Sequence, residues 1–310
     1  MSYRVLLVGL GQLGSRYLQG LEKYASSLSE LVIVEPSDES FKQGLSLVDQ
    51  SKFGQSLLMR SELSALEGSF DLALIVTPSA PRAAIVSSIA KKLEVKSWVL
   101  EKVLATSVSE INQIVQAIGS MPVWVNTPRR LTSLYNCLRE QLSGEPIEFM
   151  VRAKSFSLAC NSIHFVDTVS WLTGEQLVEI DIEDSSGWFA TKRAGYMEFD
   201  GCVIAKYSSG SVLRIDNVCS SGMEGIEIVD HGNKIIIDES SGFTLEGISH
   251  PGRVEYQSEL TDGLVADILQ FGQCGLPTLE ESSVQHELFL DAINRCPSLA
   301  GNGDGIVPIT

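Results

Sequence analysis

The sequence predicts a two-domain protein in which an α/β domain with a doubly wound parallel sheet precedes an α+β domain with a largely antiparallel open sheet. Three observations support this prediction. Short apolar strands alternate with helical segments up to residue 125, glycines follow the first strand at regular spacing, and strands follow one another without helices after about residue 175. A length of 310 residues fits two hydrophobic cores, which we place at 1–125 and 126–310.

Composition narrows the class of protein. Hydrophobic residues make up 44% and charged residues 20%, as in globular domains, and a net charge of −16 disfavours a nucleic-acid partner. No apolar run is long enough for a membrane span, and the amino-terminal pattern is not that of a signal peptide, so we expect a cytoplasmic protein. The cysteines form no CxxC pair and predict reduced thiols and no metal site: Cys137, Cys160, Cys202, Cys219, Cys274 and Cys296.

A glycine motif follows the first strand. Val5–Val8 is a continuous apolar run, and Gly9, Gly11 and Gly14 then have GxGxxG spacing before a helical segment over Ser15–Tyr24. The first glycine permits the tight turn, the second lets the backbone approach a pyrophosphate, and the third lets helix and strand pack closely. This pattern predicts a Rossmann domain whose dinucleotide-binding residues are Gly9, Gly11, Gln12, Leu13 and Gly14.

An acidic residue ends the second strand. Leu31–Val34 is apolar, and Glu35 lies about twenty residues after the glycines, where a carboxylate hydrogen-bonds the adenosine ribose. A carboxylate repels a 2′-phosphate, so Glu35 predicts NAD(H) in preference to NADP(H). The alternative interpretation is a solvated carboxylate at the strand end.

Polar residues also follow two later strands. Strands over Asp71–Val76 and Trp98–Leu100 end in Thr77-Pro78 and Glu101-Lys102, and a further strand covers Pro122–Val125. The intervening segments, 81–92 and 107–118, have helical patterning. Ligands bind at the carboxyl ends of parallel strands, so one crevice collects these residues and the glycine loop.

The second half begins with a helix over 131–142 and a strand over 147–153. Further strands are predicted at 178–182, 194–199, 203–207, 212–218, 225–230 and 234–238, with hairpin turns at 208–210 and 231–233. Helices at 262–274 and 280–296 cover one face of the sheet. We expect the other face to be apolar and exposed, and therefore to form a homodimer or larger homo-oligomer.

One helix of the second half carries polar residues on one face. The segment from Cys160 to Thr173 is helical and closes at Gly174, so Cys160, His164 and Asp167 share a face. His164 is a candidate for the substrate site, and the alternative is a hydrogen-bonded core histidine. Asp167 is a candidate for the same site, or else orients a neighbouring group.

The order GLGQLG, VEPS, VTPSAPR and LEKVLA, followed by the His164 helix, resembles the Gfo/Idh/MocA oxidoreductases over nearly the whole chain. This family includes enzymes like glucose–fructose oxidoreductase and inositol dehydrogenase. The resemblance implies hydride transfer between NAD(P) and a sugar, nucleotide-sugar or cyclitol substrate. It implies catalytic roles for Lys102 and His164, cofactor contacts for Thr77, Pro78 and Glu101, and substrate contacts for Asn161, Asp167 and Arg129.

Three positions depart from the family's pattern. Val103 stands in a proline slot, Arg82 in a slot that often holds histidine, and Cys160 in an aspartate slot. Two other functions therefore remain open within this fold. One is an imine or tetrapyrrole-type reductase, which needs a single proton donor. The other is a non-catalytic dinucleotide-binding sensor, as in a yeast galactose-regulon repressor.

Overall fold

The computed structural model describes residues 2–154, 156–218, 224–301 and 305–310. Contacts between Cα atoms divide the chain into two compact units. The first unit comprises Met1–Ala105, Ser109–Asn126 and Glu255–Leu279, and the second comprises Thr106–Val108, Thr127–Val254 and Glu280–Thr310. The continuous second domain expected from the sequence, 126–310, thus includes one segment that the structure places with the first unit.

A six-stranded parallel sheet forms the core of the first unit. Its strands are β1 (Tyr3–Val8), β2 (Leu28–Val34), β3 (Leu57–Arg60), β5 (Leu72–Ile75), β7 (Trp98–Glu101) and β8 (Val123–Asn126), and a separate pair joins β4 (Ser69–Phe70) to β6 (Glu94–Val95). The order β3-β2-β1-β5-β7-β8 reverses at β1. Because parallel crossovers are right-handed, this reversal puts helices on both faces and confirms the doubly wound α/β prediction.

The helices associated with this sheet are α1 (Gln12–Tyr24), α2 (Asp38–Leu45), α3 (Ser79–Lys92), α4 (Val108–Ile118) and α7 (Gln257–Phe271). Helix α7 begins earlier than predicted, because the Glu259 side chain accepts a hydrogen bond from the Tyr256 N–H and caps the first turn. It approaches α1 closely: a Cβ on Gly20 would lie 2.4 Å from the Cβ of Thr261. This close packing attaches α7 to the first unit.

An eight-stranded sheet forms the second unit. Its order is β10-β13-β14-β9-β15-β16-β17-β18, and β9 and β14 are its one parallel pair within the described residues. The bounds are β9 (Ile147–Arg152), β10 (Leu177–Glu183), β13 (Cys202–Tyr207), β14 (Val212–Asp216), β15 (Gly225–Asp230), β16 (Asn233–Asp238), β17 (Gly242–Leu245) and β18 (Ile248–Pro251). The prediction of a largely antiparallel open sheet is confirmed.

Helices α5 (Ser133–Gln141), α6 (Leu158–Thr173) and α8 (Leu279–Arg295) complete this unit. A 3₁₀ turn over Pro128–Leu131 replaces the start of the predicted 131–142 helix. The predicted strand at 194–199 shortens to β12 (Met197–Phe199), which pairs with β11 (Trp188–Ala190) outside the main sheet. The strands β17 and β18 were not predicted, because the Gly/Ser-rich sequence around them carries little apolar alternation.

The outward face of the main sheet corrects an expectation. One row of side chains crosses it from β10 to β16 in the order Asp181, Ile204, Arg214, Met150, Glu227, Ile236. Charged and apolar residues alternate along this row, and ion pairs flank it, including Lys206 to Glu179 at 2.9 Å. The face is therefore mixed in character rather than apolar.

Five cysteines, Cys137, Cys160, Cys202, Cys274 and Cys296, are free thiols, and Cys219 lies outside the described residues. Burial raises the pKa of both Cys202 and Cys274 to about 12. No helix in the described ranges is both long and apolar enough to cross a membrane.

Candidate active site

The glycine loop between β1 and α1 is held tightly at two of its three glycines. Gly9 has a φ of +95°, and a Cβ there would lie 2.8 Å from the carbonyl oxygen of Val76. A Cβ on Gly14 would lie 2.1 Å from the carbonyl oxygen of Gly9. Side chains at these positions would collide with backbone, so the fold itself requires glycine at both.

Gly11 has a different environment. A Cβ built there meets no atom of the described residues within 4 Å, and its φ of −65° is one that any residue adopts. The space beside it belongs to an open cleft of about 490 Å³ whose lining includes Gln12, Leu13 and Arg16. No side chain caps α1, and its first turn has no acidic residue. Gly11 therefore faces space next to a helix end that attracts anions.

Glu35, directly after β2, is buried rather than solvated. Its carboxylate accepts hydrogen bonds from the backbone N–H of Leu10 at 2.7 Å and of Ser37 at 3.0 Å. The carboxylate thus joins the glycine loop to the start of α2, where Asp38 and Glu39 add two exposed acidic groups. Negative charge is concentrated at this strand end, whatever ligand it meets.

Glu101 ends β7 inside the first unit. It accepts hydrogen bonds from the Tyr17 hydroxyl at 2.7 Å and the Asn126 amide at 2.6 Å. Burial raises the pKa of Glu101, although these bonds and the nearby Lys102 and Arg82 charges oppose the rise. Its carboxylate is enclosed by protein groups, and the cofactor contact of Glu101 stays a prediction. Glu101 fixes the end of the strand that carries Lys102.

Arg82, on α3, binds two backbone segments, one after β5 and one after β7. Its buried guanidinium donates to the carbonyl oxygens of Val103, Leu104 and Thr77. The peptide bond between Lys102 and Val103 is cis. Arg82 thereby fixes the segment after Lys102 and the loop after β5, and Lys102 itself is half-buried between them.

Thr77 and Pro78, after β5, lie at the same edge of the parallel sheet as the glycine loop. Pro78 is exposed and precedes the first residue of α3. The hydroxyl oxygen of Thr77 is buried and has no hydrogen-bond partner in the described part of the chain. A buried hydroxyl without a partner is costly unless something else satisfies it, so Thr77 is a candidate ligand contact.

In the second unit, α6 carries the remaining candidates. It ends at Gly174, whose φ of +75° gives the predicted left-handed cap. Asn161 and His164 are half-buried near its amino-terminal end. The side chain of Asn161 makes no hydrogen bond within the described residues, which leaves its amide available to a ligand. Lys102 belongs to the first unit and His164 to the second.

Asp167, predicted either to contact substrate or to orient a neighbouring group, is bonded to protein groups. It is completely buried and receives two hydrogen bonds from Arg130, at 2.5 and 2.9 Å, and one from the Thr127 hydroxyl at 2.7 Å. Burial raises the pKa of Asp167, and the Arg130 charge opposes the rise. Asp167 therefore anchors α6 to the segment after β8.

Arg129 is engaged in a similar way. Its guanidinium forms two hydrogen bonds with Glu239, at 2.7 and 3.2 Å, and lies 4.0 Å from the ring centre of Phe165. The Tyr135 hydroxyl donates to the same carboxylate at 2.8 Å. Glu239 thus occupies two of the three guanidinium nitrogens, and the substrate contact of Arg129 stays a prediction.

Several polar residues that shape these sites were not predicted from the sequence. Tyr17 and Asn126 form hydrogen bonds with Glu101 and are separated from it by 84 and 25 positions in the sequence. Glu239 pairs with Arg129 over a separation of 110 positions. No local pattern reports such distant pairs. The tandem arginines after Thr127-Pro128 were a usable signal, because two adjacent cations in an otherwise acidic protein need partners.

Solved structures share this fold over nearly the whole chain. An oxidoreductase from Thermotoga maritima has a TM-score of 0.72 at 14% sequence identity, covering 97% of this chain and 98% of its own. The WlbA dehydrogenase from Bordetella pertussis, solved with NADH and UDP-GlcNAcA, has a TM-score of 0.69 at 16% identity, covering 95% and 96%. A myo-inositol dehydrogenase from Corynebacterium glutamicum has a TM-score of 0.68 at 16% identity, covering 95% and 96%.

No protein-family model and no curated protein matches the sequence. The structural neighbours are oxidoreductases of the type that the sequence resembles, and at these identities the similarity establishes the fold. The fold implied by the resemblance is therefore confirmed.

Proposed function

We propose that this protein is an NAD(H)-dependent oxidoreductase acting on a hydroxyl or carbonyl carbon of a sugar, nucleotide sugar or cyclitol. The space at Gly11 carries the proposal. Gly9 and Gly14 close against backbone, whereas Gly11 faces an open cleft beside an uncapped helix end. A pyrophosphate fits such a cradle, because backbone N–H groups and the helix dipole favour negative charge. The partnerless Thr77 hydroxyl offers a further contact.

The nicotinamide cofactor supplies the hydride chemistry when bound, and the protein supplies geometry and proton transfer. Lys102 binds the substrate oxygen and accepts its proton during alcohol oxidation, and His164 relays that proton. Glu101 and Arg82 hold the Lys102 segment in place. A structural neighbour solved with NADH and UDP-GlcNAcA supports the nicotinamide cofactor and the nucleotide-sugar substrate class, and a neighbour solved with NAD+ and L-tartaric acid supports the cofactor.

Gly11→Val tests the cofactor cradle. Because a Cβ at Gly11 has no atom of the described residues within 4 Å, the variant is expected to keep the parent's melting temperature and to weaken NADH binding at least about 10-fold. NADH fluorescence titration and calorimetry measure the two effects. Gly14→Val is the matched contrast, since its side chain collides with the Gly9 carbonyl and should destabilise the fold. Unchanged NADH affinity in Gly11→Val would contradict the cradle.

Cofactor preference follows from the acidic end of β2. Like charges near one another in a partly exposed site cost on the order of 1 kcal/mol, so NADH is expected to bind about 10-fold more tightly than NADPH. Glu35→Gln should reduce this ratio. Arg60 ends the neighbouring strand β3, and its cationic side chain would attract a 2′-phosphate. Titrating Arg60→Met with NADH and NADPH therefore separates this attraction from the repulsion by Glu35. Equal affinities in the parent protein would remove the assigned role of Glu35.

A non-catalytic sensor remains the second candidate function. The observation that favours it is the engagement of Asp167 and Arg129 in ion pairs, which leaves fewer groups for a substrate. An imine-type reductase would need only Lys102 or His164 as proton donor. Turnover assays with NADH and NAD+ against myo-inositol, UDP-GlcNAcA and cyclic imines distinguish the three: cofactor binding without turnover supports the sensor.

The proposed assembly is a homodimer through the outward face of the eight-stranded sheet. Alternating charged and apolar residues on this face suit an interface that is wet and self-complementary. Ile236, half-exposed on β16, is the residue to change. Sedimentation is expected to show a dimer at micromolar concentration and a monomer for Ile236→Lys. Val115→Lys, on α4, is the control, and a monomeric parent protein would refute the interface.

A further inference from the structure

Glu198, on β12, places a carboxylate at the start of α6. It is buried, and its two oxygens accept hydrogen bonds from the backbone N–H of Ala159 at 2.7 Å and of Cys160 at 3.1 Å. These amides belong to the first turn of α6, where backbone N–H groups have no partner within the helix. Glu198 therefore caps α6 from a strand that lies 38 residues away in sequence.

The helix has no cap of its own. Ser157, the residue at the N-cap position, makes no side-chain hydrogen bond to the first turn, and the first turn contains no acidic residue. A carboxylate that accepts two amide hydrogen bonds at a helix start is held by charge-assisted bonds and by the helix dipole. Glu198 thus determines where this end of α6 lies.

Strand β12 is itself held firmly. The ring of Phe199 packs edge-on against the ring of Trp188, with 5.6 Å between the ring centres. The backbone N–H of Met197 donates a hydrogen bond to the carbonyl oxygen of Pro308 at 2.7 Å. The amide of Asn217 donates to the carbonyl oxygen of Phe156, just before α6, at 2.9 Å. It also reaches the carbonyl oxygen of Phe199 at 3.5 Å. These contacts attach β12, which carries the carboxylate, to the neighbouring segments of the second unit.

The turn that Glu198 caps leads directly to the candidate substrate residues. Asn161 directly follows Cys160. His164 lies one helical turn after Cys160, on the same face of α6. Cys160 offers no carboxylate to that turn, so the negative charge next to it comes from Glu198. A shift of about 1 Å in a catalytic group can cost about 10²-fold in rate, so the position of this turn matters.

We propose that Glu198 is a positioning residue for hydride transfer: its carboxylate fixes the amino-terminal turn of α6 and thereby sets the place of Asn161 and His164. This role rests on the proposed function. It requires no contact between Glu198 and substrate.

Glu198→Gln tests the proposal, and Glu175→Gln is its matched control. Glu175 is also a buried carboxylate of the second unit that accepts backbone hydrogen bonds, from Ser209 at 2.6 Å and Ser211 at 3.4 Å, but it follows the opposite end of α6. Both variants should lose similar thermal stability. Only Glu198→Gln should lower kcat, by about 10-fold, with NADH affinity unchanged.

Histidine-labelled NMR gives a readout that needs no substrate. The chain has four histidines, and a His164→Gln spectrum assigns the His164 signal. Glu198→Gln is expected to move the His164 signal and leave those of His231, His250 and His286 in place, and Glu175→Gln should leave all four. Adding Ser157→Asp to Glu198→Gln supplies a carboxylate from the N-cap itself and should return the His164 signal towards its parent position.

A His164 signal that Glu198→Gln leaves in place, or that Glu175→Gln moves as far, would overturn the proposal. Absence of turnover in the parent protein would count against the proposed function alone, since the His164 signal still decides the positioning role.

Discussion

Lys102→Ala is expected to lower kcat by about 10²–10⁴-fold with little change in NADH affinity, because the lysine acts on the substrate oxygen and not on the glycine cradle. Steady-state kinetics on whichever compound of the substrate panel is turned over, with NADH titration beside it, measures both quantities. Lys96→Ala is the control: Lys96 is an exposed lysine of the same unit, paired with Asp71 at 2.8 Å. Its loss should leave kcat unchanged.

His164→Ala should reduce kcat less, by about 10–10³-fold, because Cys160 gives the histidine no carboxylate partner on its own helix. Introducing that partner with Cys160→Asp is expected to raise the activity or move its pH optimum if His164 relays the proton.

A Lys102→Ala enzyme that loses NADH binding in proportion to its activity would instead assign Lys102 to cofactor binding.

A variant at Arg82 distinguishes the positioning of the Lys102 segment from the chemical role of Lys102, in the same kinetic assay. Its guanidinium satisfies three carbonyl oxygens around the Lys102 segment, and methionine fills similar volume without donors. Arg82→Met should therefore lower both kcat and the melting temperature, whereas Lys102→Ala should lower kcat alone. Equal losses of stability in the two variants would mean that Lys102 also supports the loop.

Local patterns predicted those parts of the molecule that depend on neighbouring residues. The β1–α1 turn needs glycines at positions 9 and 14 because backbone passes within van der Waals distance of each, and this requirement is visible as GxGxxG spacing. The α6 helix was predicted to its last residue because Gly174 supplies the left-handed cap. At Gly14 and Gly174 one short segment contains the physical cause, whereas the requirement at Gly9 also involves the carbonyl oxygen of Val76.

Pairing over long sequence distances could not be predicted in the same way. Asp167 was expected to share a face with His164, and it does lie on that helix. Whether its carboxylate meets a ligand depends on Arg130, 37 residues earlier, and no spacing rule connects the two. Glu101 is a similar case, since Tyr17 and Asn126 occupy it from α1 and β8. Local patterns placed Glu101 at a strand end and Asp167 on a helix face, and left their partners open.

Asp167→Asn is expected to destabilise the protein by about 3–5 kcal/mol, the range for breaking one side of a buried ion pair. The change removes the charge that balances Arg130, whose side chain is 8% exposed, and points an amide donor at guanidinium donors. Urea unfolding measures the loss. Glu281→Gln is the control: Glu281 lies 3.7 Å from the same guanidinium but is 52% exposed, so its removal should cost about 0–1 kcal/mol.

The double variant Asp167→Asn with Arg130→Met decides between an anchor and a substrate ligand. If the pair is an anchor, removing both charges recovers part of the stability lost in Asp167→Asn, because no buried charge then lacks a partner. A substrate-binding aspartate behaves differently: its loss would raise KM and leave the urea midpoint near that of the parent protein. Burial of both side chains and three short hydrogen bonds to one carboxylate favour the first outcome.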